Sequence, residues 1–384
     1  MDRSEIKVLM ISTDRNILAP GSAVSERMKE YGELVSELHI VLLSDSSHNL
    51  KNTELSKNIW VYPTNSFIKW FRSHDAERIG KKIIFDKKFV RGKSLITTQD
   101  PFECGIAGLK IKNKWRIPLE VQIHTNLFSP YFSGFLNSIR KRVARKVIKS
   151  AESIRVVSRQ IGDEVVREYQ SSGVVNVLPI YVDKDRILAG KVKLDLHGEY
   201  GFKTVLLSVS RLSPEKNITA SIEVLRRVKE FAGDTGLVIV GSGPEEAKLK
   251  SLVKKLGLVS SVIFVGWQED LTSYYKTADI FIQTSEFEGY GLSLVEAAIS
   301  GLPIVTTPVG IATELSNGLN AYICPQNDPE YMFKAVYDLV ADIEKRKAFA
   351  SNTNQFIEAN VFSKEEYLRR LISTWVSTSL KIPS

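Results

Sequence analysis

Short apolar runs, each followed by a polar turn and then by a helical pattern, recur along both halves of the chain. Near-continuous apolar strands that alternate with helices are typical of a parallel sheet covered on both faces. The sequence therefore predicts an α/β protein built from doubly wound domains. The runs are residues 7–12, 38–43, 95–98, 119–123 and 154–158 in the first half, and 204–209, 237–240, 262–265, 279–283 and 304–307 in the second.

The chain has 384 residues, which is long for one hydrophobic core and suits two domains. Residues 184–202 are polar and lack clear periodicity, so we place the domain boundary there. The predicted domains are residues 1–183 and 184–362. The chain is predicted to be helical from Asp328 and Pro329 almost to its end, with a break near Asn360, and residues 363–384 are predicted to form a helix that packs back on the first domain.

Composition favours a protein of the cytoplasm. No apolar run reaches 18 residues, the N-terminus has no signal-peptide pattern, and the two cysteines, Cys104 and Cys324, are far apart in the sequence. A reducing compartment fits this cysteine usage. We expect a cytoplasmic location, either free or peripheral on the inner face of the membrane.

The positive charge is concentrated in the first half of the chain. The net charge is +8, and residues 51–150 hold 21 Lys and Arg against 7 Asp and Glu. Residues 131–149, and more weakly 67–72, have the pattern of basic amphipathic helices, which can lie on anionic membranes or can be packed helices with a solvated basic face. An anionic partner is expected, but no aromatic-basic signature of RNA binding is present, so we do not expect nucleic acid.

One strand leads into a turn suited to phosphate. After the apolar residues 279–283, the turn carries Gly289 and Gly291 with Tyr290 between them, and a helical pattern follows from Leu292. Such a turn offers free backbone N–H groups and the positive end of a helix dipole.

Two glutamates set this turn apart from an ordinary phosphate loop. Glu288 precedes the glycines and Glu296 lies inside the helix. Carboxylates accept hydrogen bonds from hydroxyls and do not neutralise phosphate. Gly291 and Glu296 are separated by about 7.5 Å of helix rise, and Glu288 lies at most roughly 10 Å of extended chain before Gly291. Phosphate donors between two hydroxyl-binding groups match the order ribose, diphosphate, sugar of a nucleotide-sugar.

Two cations follow another strand end. Arg211 and Lys216 come after residues 204–209, where a guanidinium fork and a mobile ammonium could share a diphosphate. A glycine turn at residues 240–245 follows the next strand, but alone it is more simply a structural turn.

Taken together, these motifs resemble those of the retaining glycosyltransferases of family 4, which have the GT-B architecture of two facing Rossmann-like domains with a cleft between them. Glu288 and Glu296 match the E-x7-E pattern, and Arg211 and Lys216 match R-x4-K. Residues 240–245, 262–266 and 301–314 match three further elements in the family's order. In the first half the match is thinner and comprises residues 117–124, which end in His124, and residues 154–158.

The resemblance implies a role for each matching residue. Glu288 would contact hydroxyls of the donor sugar and Glu296 those of the ribose, while His124 would lie on the acceptor side near the sugar. Arg211 and Lys216 would bind the diphosphate together with the backbone N–H groups at Gly291 and Leu292. Catalytic roles would fall to four residues and donor binding to a wider set: His124, Glu288, Lys216 and Arg211 for the former; Gly21, Arg211, Lys216, Gly241, Gly266, Glu288, Gly289, Tyr290, Gly291, Leu292 and Glu296 for the latter.

The resemblance also implies the reaction. A hexose-type sugar would move, with retention of configuration, from a UDP- or GDP-linked donor to a hydroxyl of a glycan or lipid-linked saccharide in cell-surface polysaccharide synthesis. No cofactor and no metal ion would be required. Two alternatives remain: a nucleotide-sugar 2-epimerase of the same fold, and a non-catalytic sugar-nucleotide-binding partner.

Several of these residues also have plainer interpretations. His124 could be an ordinary histidine at a strand end, and Glu296 could form a buried salt bridge. The Asp183-Lys184-Asp185 segment has the spacing of an Asp-x-Asp metal motif, but it is more simply a solvated turn.

Overall fold

The computed structural model describes residues 4–383, which divide into two compact units. The first domain comprises the residues up to Pro179 together with those from Phe362 onward, and the second domain comprises Ile180–Val361. Each is an α/β unit with its own sheet.

The first domain contains an eight-stranded sheet in the order β3-β4-β2-β1-β5-β6-β7-β8, parallel except for the antiparallel pair β3 and β4 at one edge. The strands are β1 (Ser4–Ser12), β2 (Val35–Leu42), β3 (Thr53–Ser56), β4 (Ile59–Pro63), β5 (Ser94–Thr98), β6 (Leu119–Ile123), β7 (Ser153–Val156) and β8 (Val174–Val177). The helices are α1 (Ala23–Glu33), α2 (Arg72–Asp86), α3 (Glu103–Trp115), α4 (Phe135–Ser150) and α5 (Arg159–Tyr169).

The second domain contains a six-stranded sheet that is parallel throughout, in the order β11-β10-β9-β12-β13-β14. Its strands are β9 (Thr204–Val209), β10 (Thr235–Val240), β11 (Val262–Gly266), β12 (Ile280–Gln283), β13 (Ile304–Thr306) and β14 (Tyr322–Ile323). Its helices are α6 (Lys184–Ala189), α7 (Leu196–Tyr200), α8 (Ile218–Val228), α9 (Glu246–Lys255), α10 (Thr272–Thr277), α11 (Leu292–Ile299), α12 (Pro329–Ala341) and α13 (Ile343–Asn360).

Both sheets reverse their winding direction next to their first strand. In the second domain β10 and β11 lie on one side of β9 and β12 to β14 on the other, so the reversal falls between β9 and β12. In the first domain it falls between β1 and β5. Ligands of doubly wound sheets bind at the carboxyl ends of the strands at this point. Ligand-binding residues are therefore expected in the turns that follow β1, β5, β9 and β12.

The last helix, α14 (Lys364–Ser379), belongs to the first domain. Its Trp375 is fully buried, and the indole Nε1 donates to Oε1 of Glu120 at 3.1 Å. Its Tyr367 hydroxyl lies 2.8 Å from that of Tyr31 on α1. These contacts hold the end of the chain against the sheet of the first domain.

The structure departs from the sequence predictions mainly at short or irregular elements. Residues 184–202, whose sequence shows no clear periodicity, contain the short helices α6 and α7. The helix expected over residues 131–149 begins only at Phe135, because Gly134 has a φ of +93°, outside the helical region. The segment 67–72 forms a single 3-10 turn, Lys69–Phe71, that leads into α2. Within residues 4–383, every helix is too short or too polar to cross a bilayer.

Candidate functional site

The turns after β9 and β12 lie side by side where the second sheet reverses its winding. Because the two strands are neighbours, the segments that leave their carboxyl ends meet, and the amide N–H of Glu286 donates to the carbonyl of Glu215 at 2.8 Å. This backbone hydrogen bond brings the Lys216 and Glu288 side chains together, although 71 residues separate them in the sequence.

Glu288 is fixed by three hydrogen-bond donors. The Lys216 ammonium lies 2.6 Å from Oε2, while the Gln283 amide and the Ser285 hydroxyl donate to Oε1 at 2.9 and 2.8 Å. The side chains of Lys216 and Glu288 are only 16% and 12% exposed. A carboxylate held in this way keeps one orientation, and a charge pair in a partly buried site interacts more strongly than one in water.

The helix after this turn presents its N-terminus at the same place. Gly291 has a φ of +97°, and its carbonyl accepts hydrogen bonds from the amides of Leu294 and Val295. The N–H groups of Leu292 and Ser293, in the first turn of α11, lie outside that helical ladder. Their donors and the helix dipole favour an anion at this end of α11.

Gly289 and Tyr290 complete the turn between Glu288 and α11. The carbonyl of Tyr290 accepts from the amide of Ile311 at 2.8 Å, and a Cβ atom on Gly310 would lie 2.3 Å from that carbonyl oxygen. Burial, together with Glu314, raises the pKa of the Tyr290 hydroxyl well above its usual value. Tyr290 is thus a packed, neutral residue that fixes the path of the turn.

Glu296 lies one helical turn further along α11. The hydroxyl of the buried Tyr275 donates to its Oε2 at 2.9 Å, so its structural partner is a neutral phenol and not a cation. Burial raises the pKa of Glu296, and this effect outweighs the opposing effects of Tyr275 and Arg186. A carboxylate that burial destabilises gains from further hydrogen-bond donors, such as a pair of sugar hydroxyls.

Arg211 is not part of the Lys216–Glu288 pair in this structure. Its guanidinium Nη2 lies 2.8 Å from Oε1 of Glu215, and its Nε donates to the Ser213 hydroxyl at 3.3 Å. The Arg211 side chain is 69% exposed. It therefore stands at the surface beside the turn, with a local carboxylate as partner.

Glycines 241 and 266 shape the strand ends that support this turn. Gly241 has a φ of +132°, and a Cβ atom there would lie 1.9 Å from the carbonyl oxygen of Ser210. Its amide donates to the carbonyl of Gly266 at 2.8 Å, and Gly266 also has a positive φ, +74°. Gly241 therefore lets the backbone approach the start of the Arg211 turn closely, whereas a Cβ atom on Gly266 would meet nothing within 4 Å.

In the first domain, His124 follows β6 and ends a chain of hydrogen bonds. Oε1 of Glu120 accepts from the Thr97 hydroxyl at 2.9 Å, Thr97 Oγ1 accepts from Nε2 of Gln122 at 2.9 Å, and Gln122 Oε1 lies 3.1 Å from His124 Nε2. Glu120 is fully buried and faces the Arg155 guanidinium at 3.8 Å, so its carboxylate acts as an acceptor.

Because Glu120 can only accept, the donor and acceptor of each following hydrogen bond are determined, and with them the tautomer of the His124 imidazole. Thr97 must donate to Glu120 and therefore accepts from the amide nitrogen of Gln122, which leaves the Gln122 oxygen facing His124. His124 thus carries its proton on Nε2 and has a free lone pair on Nδ1.

The surroundings of His124 keep the ring neutral. Although the ring retains access to solvent, the protein surrounds it closely enough that desolvation, with the charges of Arg155 and Arg27, lowers its pKa to about 4. At neutral pH, His124 can accept a proton or a hydrogen bond through Nδ1 and carries no charge.

Two further candidates have local structural roles. Gly21 lies in the turn before α1 with a φ of +75° and open space around it, next to Ser22, which caps α1. Asp183 caps α6 by accepting from the amide of Arg186 at 3.0 Å. Over residues 4–383, the structure contains no cluster of three His, Cys, Asp or Glu side chains with the arrangement of a metal site.

Four residues of the site were missed by the sequence reasoning. Gln283 and Ser285 are the polar residues that close β12, and this change from apolar to polar was the available signal. Glu215 lies inside the R-x4-K element and could have been paired with Arg211 by its spacing of four residues. Tyr275 comes from α10, and nothing in the local sequence connects it with Glu296.

Two family models match the chain, and together they cover most of it. Residues 195–356 match the glycosyl transferases group 1 model and residues 37–186 match the glycosyltransferase family 4 model. The chain belongs to the group 1, family 4 glycosyltransferases. The family and the α/β fold class predicted from the sequence are confirmed.

Curated relatives are similar over part of their length. The chain is 28% identical over 225 residues to the alpha-monoglucosyldiacylglycerol synthase of Streptococcus pneumoniae, a match that covers 55% of this chain and 51% of that protein. It is 27% identical over 223 residues to the GDP-mannose-dependent alpha-(1-6)-phosphatidylinositol monomannoside mannosyltransferase of Mycolicibacterium smegmatis, covering 55% of this chain and 58% of that one. The chain thus spans about half the length of these relatives.

Solved structures share the fold over nearly the whole chain. Sucrose-phosphate synthase from Thermosynechococcus elongatus is similar with a TM-score of 0.78 at 17% identity. The match covers 97% of this chain and 99% of that one. Anabaena HepE in complex with UDP and glucose has a TM-score of 0.74 at 19% identity, with 97% and 100% covered. The fold class is therefore GT-B, with two parallel-sheet Rossmann-like domains.

Proposed function

We propose that the protein is a retaining glycosyltransferase that transfers a hexose-type sugar from a UDP- or GDP-linked donor to a hydroxyl of a glycan or lipid-linked acceptor. The observation that carries the proposal is the arrangement at the reversal point of the second sheet. The turn after β9 contributes a lysine, and the turn after β12 with the helix that follows it contributes a helix N-terminus and two oriented glutamates.

The donor fits this arrangement from end to end. Two hydroxyls of the ribose would bind Glu296, the diphosphate would lie at the first turn of α11 with Lys216, and hydroxyls of the sugar would bind Glu288. Because Gln283 and Ser285 already hold one oxygen of Glu288, the other oxygen and the Lys216 ammonium are the groups that rearrange when the donor binds.

The chemistry follows from the leaving group. As the glycosidic bond stretches, negative charge develops on the phosphate oxygen, and fixed donors aimed at that oxygen lower the barrier. Lys216, the α11 N-terminus and a reoriented Arg211 can supply this charge compensation, so the proposal requires no metal ion. We propose that the acceptor hydroxyl attacks from the face that the diphosphate leaves, which retains configuration. The two-carboxylate scheme of glycoside hydrolases is not invoked for Glu288 and Glu296.

His124 is assigned to the acceptor side. A neutral imidazole with a free Nδ1 lone pair can accept a hydrogen bond from a sugar or acceptor hydroxyl without adding a positive charge beside the reacting carbon. Two relatives are named for glycolipids, monoglucosyldiacylglycerol and phosphatidylinositol monomannoside, and these names support a lipid-linked acceptor. A lipid-linked acceptor would suit a peripheral position on the inner face of the membrane.

The decisive experiment is donor hydrolysis across a panel of UDP- and GDP-sugars without acceptor. The proposal expects slow release of free sugar from one donor, lost in Lys216→Ala and kept in Lys250→Ala, which removes an exposed lysine paired with Glu246 on the remote helix α9. Conversion of the donor to an epimer instead of free sugar would replace transfer with the isomerase alternative. Tight donor binding without turnover on any acceptor would support a non-catalytic binding partner.

A further inference from the structure

A cavity of about 740 Å³ opens in the first domain at the carboxyl ends of its strands. Thr13, which follows β1, and Leu43, which follows β2, form its floor, and the walls come from the segment 69–73 and the start of α4. Its size falls within the ~300–1,000 Å³ of ligand pockets. The two wall segments are those whose sequences predicted basic amphipathic helices, and the structure places them around one space.

The wall formed by α4 carries an apolar stripe that is only half covered. Phe135, Ile139, Val143 and Val147 follow one another at intervals of four residues and so share one face of the helix. Val147 is fully buried in the domain, whereas Ile139 is 40% exposed and Phe135 is 80% exposed. The same stripe that is buried against α3 at one end therefore lines the cavity and faces solvent at the other.

The segment that contributes the opposite wall also carries uncovered apolar side chains. Trp70, which lines the cavity, is 79% exposed. Its neighbours Phe67, Ile68 and Phe71, which lie beside the cavity lining in the sequence, are 93%, 50% and 53% exposed. Isolated exposed apolar residues are normal on protein surfaces, but contiguous groups of large ones mark interaction sites. Two such groups on either side of one cavity indicate an apolar occupant.

The charges around the cavity are positive. Two rim cations, Arg72 and Arg140, have carboxylate partners in Asp45 and Glu103. Lys69, which also lines the cavity, forms no ion pair within the described part of the chain. The same holds for the cations further along α4, which are Lys141, Arg142, Arg145, Lys146 and Lys149. An apolar slot whose lining and flanking helix carry net positive charge complements an anionic amphiphile, with hydrocarbon inside and phosphate at the rim.

We propose that this cavity binds a hydrocarbon chain of an anionic phospholipid in the bilayer, with the lipid phosphate at the cationic rim. In its link to catalysis the inference rests on the proposed function, since it makes the acceptor a membrane lipid. The floor of the cavity lies at β1, and His124 follows β6, two strands away in the same sheet. Neighbouring strands are ~4.8 Å apart, so the floor of the cavity lies about 10 Å from the start of the His124 loop.

Trp70 provides a direct test, because its side chain lies at the mouth of the cavity. Tryptophan fluorescence is measured with phosphatidylglycerol vesicles whose acyl chains carry bromine, a contact quencher, and with the same lipid unbrominated. We expect the brominated lipid to quench the wild type, the quenching to fall at least twofold in Trp70→Phe, and Trp267→Phe to keep it. Trp267 is the matched control because it is 69% exposed but belongs to the second domain.

Charge substitutions test the apolar walls in the same assay. Phe135→Asp and Ile139→Asp should each weaken sedimentation with phosphatidylglycerol vesicles about tenfold. Val259→Asp, at a 65% exposed position in the second domain, should not. Thermal unfolding of the three variants is measured as the control for correct folding.

Three outcomes would overturn the proposal: equal quenching in wild type and Trp70→Phe, equal loss of binding in all three aspartate variants, or equal binding to phosphatidylcholine vesicles. Equal quenching would show that Trp70 does not contact the acyl chains and that surface charge alone holds the protein on the vesicles. All of these measurements omit the nucleotide-sugar, so they do not depend on transfer activity. Failure of donor hydrolysis in the panel would overturn the proposed function and leave the lipid result standing.

Discussion

The Lys216 ammonium lies 2.6 Å from Oε2 of Glu288, and both side chains are largely buried. In the donor-free protein, the cation assigned to the diphosphate is therefore neutralised by the carboxylate assigned to the sugar. Under the proposed function, donor binding would exchange this pair for two new ones, in which phosphate oxygens face Lys216 and sugar hydroxyls face Glu288. The pair keeps both groups ordered before the donor arrives, which reduces the reorganisation needed on binding.

Glu288→Gln separates these two roles. The amide keeps the shape of the side chain but releases Lys216 from its ion pair, so we expect the affinity for the free nucleoside diphosphate to stay the same or rise. Transfer should fall about 10²–10³-fold, the usual cost of losing one oriented polar group in an active site. Calorimetric titration with UDP and GDP checks the nucleotide affinity, and initial rates check the loss of transfer. A parallel fall in nucleotide affinity and in rate would show that Glu288 only maintains the fold of the turn.

The polar content of this site was largely predictable, because each group follows a strand. The alternation of apolar runs and helices indicated parallel sheets, and parallel strands bring their carboxyl ends to one edge, where Lys216 and Glu288 were expected and are found. The orientation of Arg211 toward Glu215 was not predictable, since it depends on the path of one short turn. Tyr275 reaches Glu296 through tertiary packing of α10, for which the sequence has no periodic signal.

In the first domain, too, the contacts that depend on tertiary structure could not be predicted from the local sequence. The strand that ends at Ile123 placed His124 at the edge of the sheet, but the chain through Gln122, Thr97 and Glu120 depends on the register of β5 and β6. Register between neighbouring strands is set by which side chains are buried and by the connections between the strands, so it emerges only from the folded domain.

Tyr275→Phe should change the pH dependence of donor binding. Burial raises the pKa of Glu296, and the Tyr275 hydrogen bond opposes that rise. Ribose binding requires the carboxylate, so KM for the donor should increase as the pH falls through this raised pKa. Without the Tyr275 hydroxyl the pKa rises further, and the increase in KM should begin at higher pH. Initial-rate profiles check this, with Tyr331→Phe, which loses a surface hydroxyl bound to Asn317, as control. Coincident profiles for the Tyr275 variant and wild type would contradict the assignment.

Glu296→Gln should make the protein more stable at neutral pH while it weakens donor binding. A carboxyl whose pKa is raised in the folded state stabilises the protein at low pH, and this contribution is lost as the pH rises through the folded pKa. The amide carries no such penalty, so its advantage in Tm should be present at pH 7 and disappear toward acidic pH. Calorimetric Tm values across that range test the sign. A variant less stable than wild type at pH 7 would mean that Glu296 has a structural partner that compensates its burial.

Metal removal tests the proposed charge compensation. If Lys216, Arg211 and the N-terminus of α11 meet the charge of the leaving diphosphate, exhaustive treatment with EDTA should leave the transfer rate within about twofold of its starting value. Restoration of a lost rate by Mg²⁺ or Mn²⁺ would instead show that a cation shares this task with the protein.

Gly241→Ala should destabilise the second domain more than the same change at Gly257. Both glycines have a positive φ, which costs an alanine ~1–2 kcal/mol. At Gly257 the new Cβ meets nothing within 4 Å, whereas at Gly241 it would lie 1.9 Å from the Ser210 carbonyl oxygen. Overpacking of this kind adds ~1–3 kcal/mol. Denaturant unfolding of both variants measures the difference, and equal losses would show that the Ser210 turn moves away without cost.

His124 should stay neutral across the physiological range. Its pKa of about 4 predicts that its ring nitrogens do not titrate between about pH 5.5 and 8, and the hydrogen bond to Gln122 predicts the Nε2–H tautomer. Nitrogen-15 NMR of the imidazoles measures both, and His124→Gln identifies the signal by its disappearance. Titration of that signal near pH 6.5 would contradict the account of its surroundings.

Thr97→Val tests whether the buried chain sets this tautomer. Valine keeps the shape of threonine but leaves the Gln122 amide without its acceptor, at a cost of ~1–3 kcal/mol in the free energy of unfolding. Gln122 is then free to turn its amide nitrogen toward His124, which would favour the Nδ1–H tautomer and remove the lone pair that faces the acceptor. We expect nitrogen-15 shifts that report this change and a kcat about tenfold lower with KM for the donor unchanged, because the proposed donor site is in the other domain. Thr97→Ser, which restores the hydroxyl, should recover both the tautomer and the rate. Loss of stability in Thr97→Val without a change of tautomer would confine the Glu120–Thr97–Gln122 chain to a structural role.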